Sequence, residues 1–275
     1  MVPTVDLRGG VPIPQVGFGL YLVPSKDAQA TTEAAIEVGY RHFDTASIYG
    51  NEHEVGEAIA ISTVPRAELF VTTKLWNRDH GRKRAREAFE RSREALGLEV
   101  IDLYLIHWPV PALGLYRETW ETLQELRSEG CVRAIGVSNF LPEHLDKLLE
   151  SGGERPSVNQ IELHPRSQER ELASYHEEFG IVTQAYSPLA HGGALQSLAL
   201  RDVAHHLAKS VAQVILRWHV QRGRVIIPKT VNPMRMRENL DIFAFALPDD
   251  VMQMIDGLDR GERMSADPRE FLGLG

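Results

Sequence analysis

At 275 residues, the chain suits one large α/β domain better than two small ones. Hydrophobic residues make up 43% and charged residues 25%, an ordinary balance for a folded globular protein and not that of a disordered one. A net charge of −8 argues against a nucleic-acid surface as the main partner, while leaving room for a local basic pocket.

The N-terminus lacks a charged start followed by an apolar run, so no signal peptide is read there. Residues 3–15 read as two short strands around Gly9-Gly10, a hairpin placed to plug one end of the repeating part of the chain. After it, strand-like and helix-like segments alternate. The strand candidates are 16–20, 41–46, 69–74, 102–108, 134–138, 158–162, 181–187 and 225–230. The helical patterns are 27–38, 52–61, 82–96, 117–129, 143–150, 169–179 and 211–221, and several stop at a glycine just beyond: Gly39, Gly97, Gly130, Gly180 and Gly223. The basic run Arg82-Lys83-Arg84-Ala-Arg86 is interleaved with Glu87, Glu90 and Glu94, which makes it a solvated helix face. The most apolar stretch, 103–116, is broken by His107, Pro109 and Pro111 and is too short to span a bilayer. Cys131 is the only cysteine, so there is no internal disulfide and no cysteine metal cluster.

Eight strand–helix alternations, with little hydrophobic alternation inside the strands, predict a single (β/α)8 TIM barrel over 1–275, its N-terminal β-hairpin closing one end. An open doubly wound sheet would carry a Gly-x-Gly-x-x-Gly loop after an early strand. Here Gly17-Phe-Gly19 runs on into Leu20-Tyr21-Leu22 instead.

In such a barrel, functional groups leave the C-terminal strand ends, which share one face. Asp44 closes the second strand, Lys74 the third and His107 the fourth, and Tyr49 lies in the loop after the second. Singly, each has a plain structural explanation: a turn cap, a snorkelling lysine, a packed aromatic. Together they compose a proton donor. A free phenol near pKa ~10 is a poor acid at neutral pH. A nearby ammonium is expected to lower that value, with Asp44 holding the ammonium in place and His107 orienting a substrate oxygen.

The segments Gly39-Tyr-Arg-His-Phe-Asp-Thr-Ala-Ser-Ile-Tyr-Gly-Asn-Glu, Leu69-Phe-Val-Thr-Thr-Lys-Leu-Trp, Asp102-Leu-Tyr-Leu-Ile-His-Trp-Pro, Ile135-Gly-Val-Ser-Asn-Phe, Val158-Asn-Gln-Ile-Glu-Leu-His-Pro and Ile226-Ile-Pro-Lys-Thr resemble the aldo-keto reductases. The match spans nearly the whole chain and is most similar to the bacterial branch containing the diketogluconate reductases. The resemblance implies hydride transfer from NADPH to an aldehyde or ketone, with Asp44, Tyr49, Lys74 and His107 as the catalytic tetrad and Tyr49 as general acid. It implies that Ser138, Asn139 and Gln160 hold the nicotinamide carboxamide and that Tyr186 stacks on its ring. Ser187 and Leu189 would begin the loop over the pyrophosphate. Lys229, Thr230 and Arg235 would read the 2′-phosphate beside a helix starting at Asn232-Pro233, with Glu238 and Asn239 near adenine. Tyr21, Trp76 and Trp108 would line the substrate pocket.

Two stretches depart from the family pattern. Arg166 stands where many relatives have an aromatic, and 190–196 differs from the usual cofactor loop. The short tail 264–275 predicts an open pocket and a broad range of small carbonyl substrates, keto-sugars among them. A cytoplasmic monomer acting on a small molecule, without nucleic acid, membrane or metal, is the expected setting. Other readings are an NADPH-binding sensor with little turnover, a lyase with Lys74 as Schiff-base nucleophile, and a metal hydrolase built from His42, His53, His107 and His164.

Overall fold

Eight short runs rich in Val, Ile, Leu and Phe form one parallel sheet in the computed structural model, which describes residues 2–150 and 152–274. A hairpin of β1 (Thr4–Leu7) and β2 (Val11–Pro14) precedes them, turning through Gly9 and Gly10 in left-handed backbone. The sheet then runs β3 (Phe18–Gly19), β4 (His42–Asp44), β5 (Phe70–Leu75), β6 (Ile101–Ile106), β7 (Val132–Ser138), β8 (Val158–Glu162), β9 (Val182–Tyr186) and β10 (Val225–Ile226), each beside the next. It closes on itself where Val16 bridges Ile226 in parallel, with Gly17 N donating to Ile226 O at 2.8 Å and Ile226 N to Gln15 O at 2.9 Å. Every residue of β5 and β6 is buried, because helices cover one face and the barrel interior the other.

The connections carry α1 (Ser25–Val38), α2 (Glu52–Ala60), α3 (Arg82–Leu96), α4 (Tyr116–Ser128), α5 (Pro142–Glu150), α6 (Arg170–Phe179), α7 (Leu198–His206), α8 (Val211–Gln221), α9 (Pro233–Leu240) and α10 (Asp249–Asp256). Gly39, Gly97 and Gly180 end α1, α3 and α6 in left-handed backbone, as their positions predict. Arg82 and Arg86 pair with Glu121 and Glu125 on α4 and with Glu129 just past its end, so the basic run is an exposed seam between two helices.

Three expectations need correction. The last strand ends at Ile226, not at residue 230, since Pro228 has no N–H to extend the ladder. Helices α7 and α10 lie where no helix is expected: α7 begins on the exposed Leu198 and has no glycine stop. Helix α9 is anticipated only at its first turn, where Asn232 accepts from Met234 N at 2.9 Å and Pro233 opens the helix.

The hairpin plugs the N-terminal end of the barrel. Leu7 and Ile13 are buried with Phe70, Leu103, Leu105, Ala134, Val158 and Val225 in a core of their own. With that end sealed, the C-terminal strand ends form the barrel mouth left to hold a site.

Candidate active site

At the mouth, β4 delivers Asp44 and β5 delivers Lys74, and their side chains meet in full burial. Lys74 Nζ donates to Asp44 Oδ1 at 2.6 Å and to Thr45 O at 2.8 Å. Asp44 Oδ2 accepts from Gln160 Nε2 at 2.7 Å, which ties β4 to β8 across the barrel. The loop after β4 tightens into a turn over Ser47–Tyr49, and Lys74 Nζ lies 3.5 Å from the Tyr49 hydroxyl. His107, just past β6, packs edge-on to Tyr49 with ring centres 5.7 Å apart. The four residues thus share one mouth.

Burial and charge set their protonation. Burial drives the Tyr49 phenol well above its ordinary pKa, and Asp44 pushes the same way. This reverses the expectation that Lys74 lowers it. The Lys74 ammonium is committed to Asp44 and Thr45, and desolvation of the phenol is the largest cause of the shift. Burial likewise pulls Lys74 below its usual value, with Asp44 opposing. His107 is held well below 6.5, by burial first and the Lys74 charge second, so its ring is neutral. Its Nδ1 is buried without a partner among the described residues. An unpaired lone pair is more tolerable there than an unpaired N–H, which puts the ring proton on Nε2.

A cleft of about 1200 Å³ opens from this point along the ends of β7 to β10. Ser138, Asn139, Gln160 and Tyr186 line it, joined by hydrogen bonds: Ser138 Oγ donates to Gln160 O at 2.8 Å, Asn139 Nδ2 to His107 O at 3.0 Å, and Tyr186 OH to Asn139 Oδ1 at 2.8 Å. Ser187 and Leu189 follow in the wall, Ser187 with left-handed φ. Residues Ala190–Gln196 are short helical turns kinked at His191 and Gly192. Lys229, Thr230, Arg235, Glu238 and Asn239 line the far end. Lys229 and Arg235 are exposed there and form no ion pair among the described residues, so two cations beside the start of α9 could hold an anionic group.

Tyr21, Trp76 and Trp108 line the near end. Rings run in contact from Tyr21 to Tyr49 (5.1 Å), and from His107 to Trp76 (5.1 Å). The tail does not leave this end open. It folds back so that Phe271 lies 4.4 Å from Trp108 and 6.4 Å from Trp76, pinned where Asn77 Nδ2 donates to Leu272 O at 2.8 Å. Phe271 is the lone aromatic of the last twenty-odd residues, the one sequence signal that marks this contact.

Two further buried groups escape sequence reasoning. Asn51 accepts from Thr45 Oγ1 and donates to Leu20 O and Val23 O, both at 3.1 Å, so it ties the Tyr21 loop to the turn bearing Tyr49. Glu162, closing β8, accepts from Met264 N (2.7 Å), Ser265 N (2.6 Å) and His164 Nε2 (3.1 Å). Burial works against its charge, but these bonds prevail and bring its pKa down to about 2. A glutamate inside an apolar strand was the available clue. The histidines do not converge: His42 faces Pro14 and Thr72, and His164 faces Glu162. No cluster of three metal-binding side chains occurs among the described residues, and none of their helices is long and apolar enough to cross a membrane.

A family model described as Aldo/keto reductase family matches residues 16–260. The chain is 46% identical over 271 residues to an aldo-keto reductase of Mycolicibacterium smegmatis, covering 98% of each chain. It is 45% identical over 274 residues to methylglyoxal reductase DkgA of Escherichia coli, covering 98% of this chain and 99% of the relative. Among solved structures, a mutant of Gox0644 in complex with NADPH superposes with a TM-score of 0.94 at 43% identity, covering 98% of both chains. An aldo/keto reductase from Brucella melitensis superposes at 0.91 with 47% identity, over 94% of this chain and 100% of that one.

Proposed function

The chain belongs to the aldo/keto reductase family, and from that premise we propose that Tyr49 is the general acid of an NADPH-dependent reduction of aldehydes and ketones to alcohols. Family membership makes it an NADP-dependent oxidoreductase acting on carbonyl compounds. The finer assignments are our reading. The observation that carries them is the meeting of Asp44, Tyr49, Lys74 and His107 at one end of a cleft whose other end presents Lys229 and Arg235 unpaired.

The residues fit a phosphorylated dinucleotide. Two unpaired cations and the Thr230 hydroxyl suit a phosphate monoester, while Ser138, Asn139 and Gln160 offer amide-matching groups near Tyr49. Bound there, the reduced nicotinamide supplies the hydride. The protein's part is alignment and the proton. A desolvated phenol at the cleft wall holds its proton until negative charge grows on the substrate oxygen, and then releases it there. The phenolate left behind faces Lys74 Nζ at 3.5 Å, which the Asp44 contact keeps in position. Neutral His107 donates from Nε2 to the same oxygen and fixes its direction.

Lys74 is fully buried, committed to Asp44 and Thr45, and absent from the cleft wall, which speaks against a Schiff-base role. The Escherichia coli relative's name extends the proposed range to small 2-oxoaldehydes beside simple aldehydes, ketones and keto-sugars. A cytoplasmic monomer completes the reading, supported by the −8 net charge and the single cysteine. Consumption of NADPH with a panel of such carbonyl compounds tests it. Tight NADPH binding with no member of the panel reduced would replace it with the sensor reading.

A further inference from the structure

We infer that the chain carries a second ligand site, behind the cofactor loop, for a small anion with a short apolar body, and that its occupant slows release of NADP(H); this coupling rests on the reductase reading above. Residues 190–196 form a wall with a cavity on each side. His191, Gly192 and Leu195 line the large cleft, whereas Gly193, Ala194 and Gln196 line a separate cavity of about 350 Å³. No described residue borders both. The volume is that of a pocket for a small molecule. Both stretches that depart from the family pattern, Arg166 and 190–196, meet there: a Cβ at Gly193 would lie 4.0 Å from Arg166 Nη1.

The lining joins an apolar surface to one spare cation. Pro165, Ala194 and Leu200 are buried apolar residues of the wall, which a hydrocarbon body would cover. Arg166 pairs with Glu262, so those two charges cancel. Arg260 is exposed, and its guanidinium has no ion pair or hydrogen bond among the described residues. Its chain neighbour Asp259 is turned elsewhere: it lies 3.3 Å from Arg170 Nε and accepts from Gln168 N and Gly261 N at 3.3 and 3.2 Å. A free guanidinium beside an apolar wall suits a carboxylate or phosphate carried on a hydrocarbon body.

The loop is built to respond to such an occupant. Its hydrogen bonds are local: Ala190 N donates to Ser187 O at 2.8 Å, Gly192 N to Leu189 O at 2.9 Å and Ser197 N to Ala194 O at 3.3 Å. Ala190 and His191 hold left-handed φ of 51° and 49°, which non-glycine residues adopt only at a cost. Local bonds and strained backbone set it among the more easily opened parts of a fold. A ligand seated between Ala194 and Arg260 braces it in the shape that walls the cleft. By linkage, occupant and cofactor then strengthen each other's binding by the same factor.

Hexanoate, hexyl phosphate and the neutral hexanamide separate charge from body. In calorimetry on the cofactor-free protein, with sodium chloride matching the ionic strength, at least one anion is expected to bind at millimolar concentration and hexanamide is not. The tighter anion identifies the head group. Arg260→Ala should abolish that binding and leave NADPH affinity, measured without the anion, unchanged. In a stopped-flow chase of NADPH fluorescence, the tighter anion should slow release about 5-fold or more in the unmutated chain and not in Arg260→Ala. Binding by neither anion overturns the inference, as does binding that persists in Arg260→Ala, which places the anion elsewhere, the substrate pocket included. Binding of hexanamide on a par with the anions, or anion binding with no change in the release rate, overturns it too. Arg260-dependent anion binding by a chain that never takes up NADPH keeps the site and overturns the reductase reading instead.

Discussion

Asp44 and Lys74 form a fully buried ion pair at 2.6 Å between neighbouring strand ends, and the carboxylate's second oxygen is held by Gln160 at 2.7 Å. A buried pair broken on one side leaves an uncompensated charge, at a cost of about 3–5 kcal/mol. Asp44→Asn is therefore expected to lose stability on that scale and to lower kcat by about 100-fold or more, since Lys74 no longer stays charged beside Tyr49. Denaturant unfolding and steady-state kinetics check both; a variant with normal stability and turnover would show that the pair matters to neither.

The unpaired far end of the cleft gives a second expectation. Arg235 is exposed beside Lys229 and the start of α9. A charge-assisted hydrogen bond to phosphate contributes about 1.5–3 kcal/mol, so Arg235→Ala should weaken NADPH binding by about 10–100-fold and NADH binding far less. Fluorescence titration with both cofactors measures this. Equal losses would mean that Arg235 does not read the extra phosphate.

Buried histidines are expected to set the acid limit of stability. Burial lowers His42 and His80 to about 4 and His176 to about 3. Each ring is neutral in the fold, whereas in the unfolded chain it takes a proton near pH ~6.5. Their contribution is whole above that pH and is lost as pH falls toward the folded values, up to about 3 kcal/mol for a ring such as His42. The melting temperature should drop steeply from pH ~6.5 to ~4. In His42→Gln that slope should flatten; an unchanged slope would assign acid sensitivity to other groups.

Glu162 fastens the tail that carries Phe271 over the pocket. In Glu162→Gln, one oxygen becomes an amide that cannot accept from both Met264 N and Ser265 N, and a charge-assisted bond is lost. KM for carbonyl substrates is expected to rise about 10-fold with kcat changed much less, and limited proteolysis within 263–274 should quicken. Normal KM and normal protection would make the contact incidental to the pocket.

The barrel was legible because its strands are buried on both faces and read as continuous Val/Ile/Leu/Phe runs, each followed by a helical period and often a glycine stop. Asp44, Lys74 and His107 could be gathered because topology alone sends strand ends to one rim. What was hidden depends on distance along the chain or depth within the fold. Two of the three partners of Glu162, Met264 and Ser265, lie 102 and 103 residues away. Phe271 meets Trp108 only because the tail turns back. The direction of the Tyr49 shift follows from burial, which no motif encodes. Helix α7 opens with an exposed leucine and lacks a glycine stop, so the signals that marked other helices were missing.

The most direct test removes one oxygen atom. Tyr49→Phe keeps the ring that packs on Tyr21 and His107 but has no proton to give. Unchanged NADPH affinity is expected, with reduction slowed by at least about 100-fold at saturating substrate. Unchanged affinity together with near-normal turnover would contradict it and move the proton donor elsewhere.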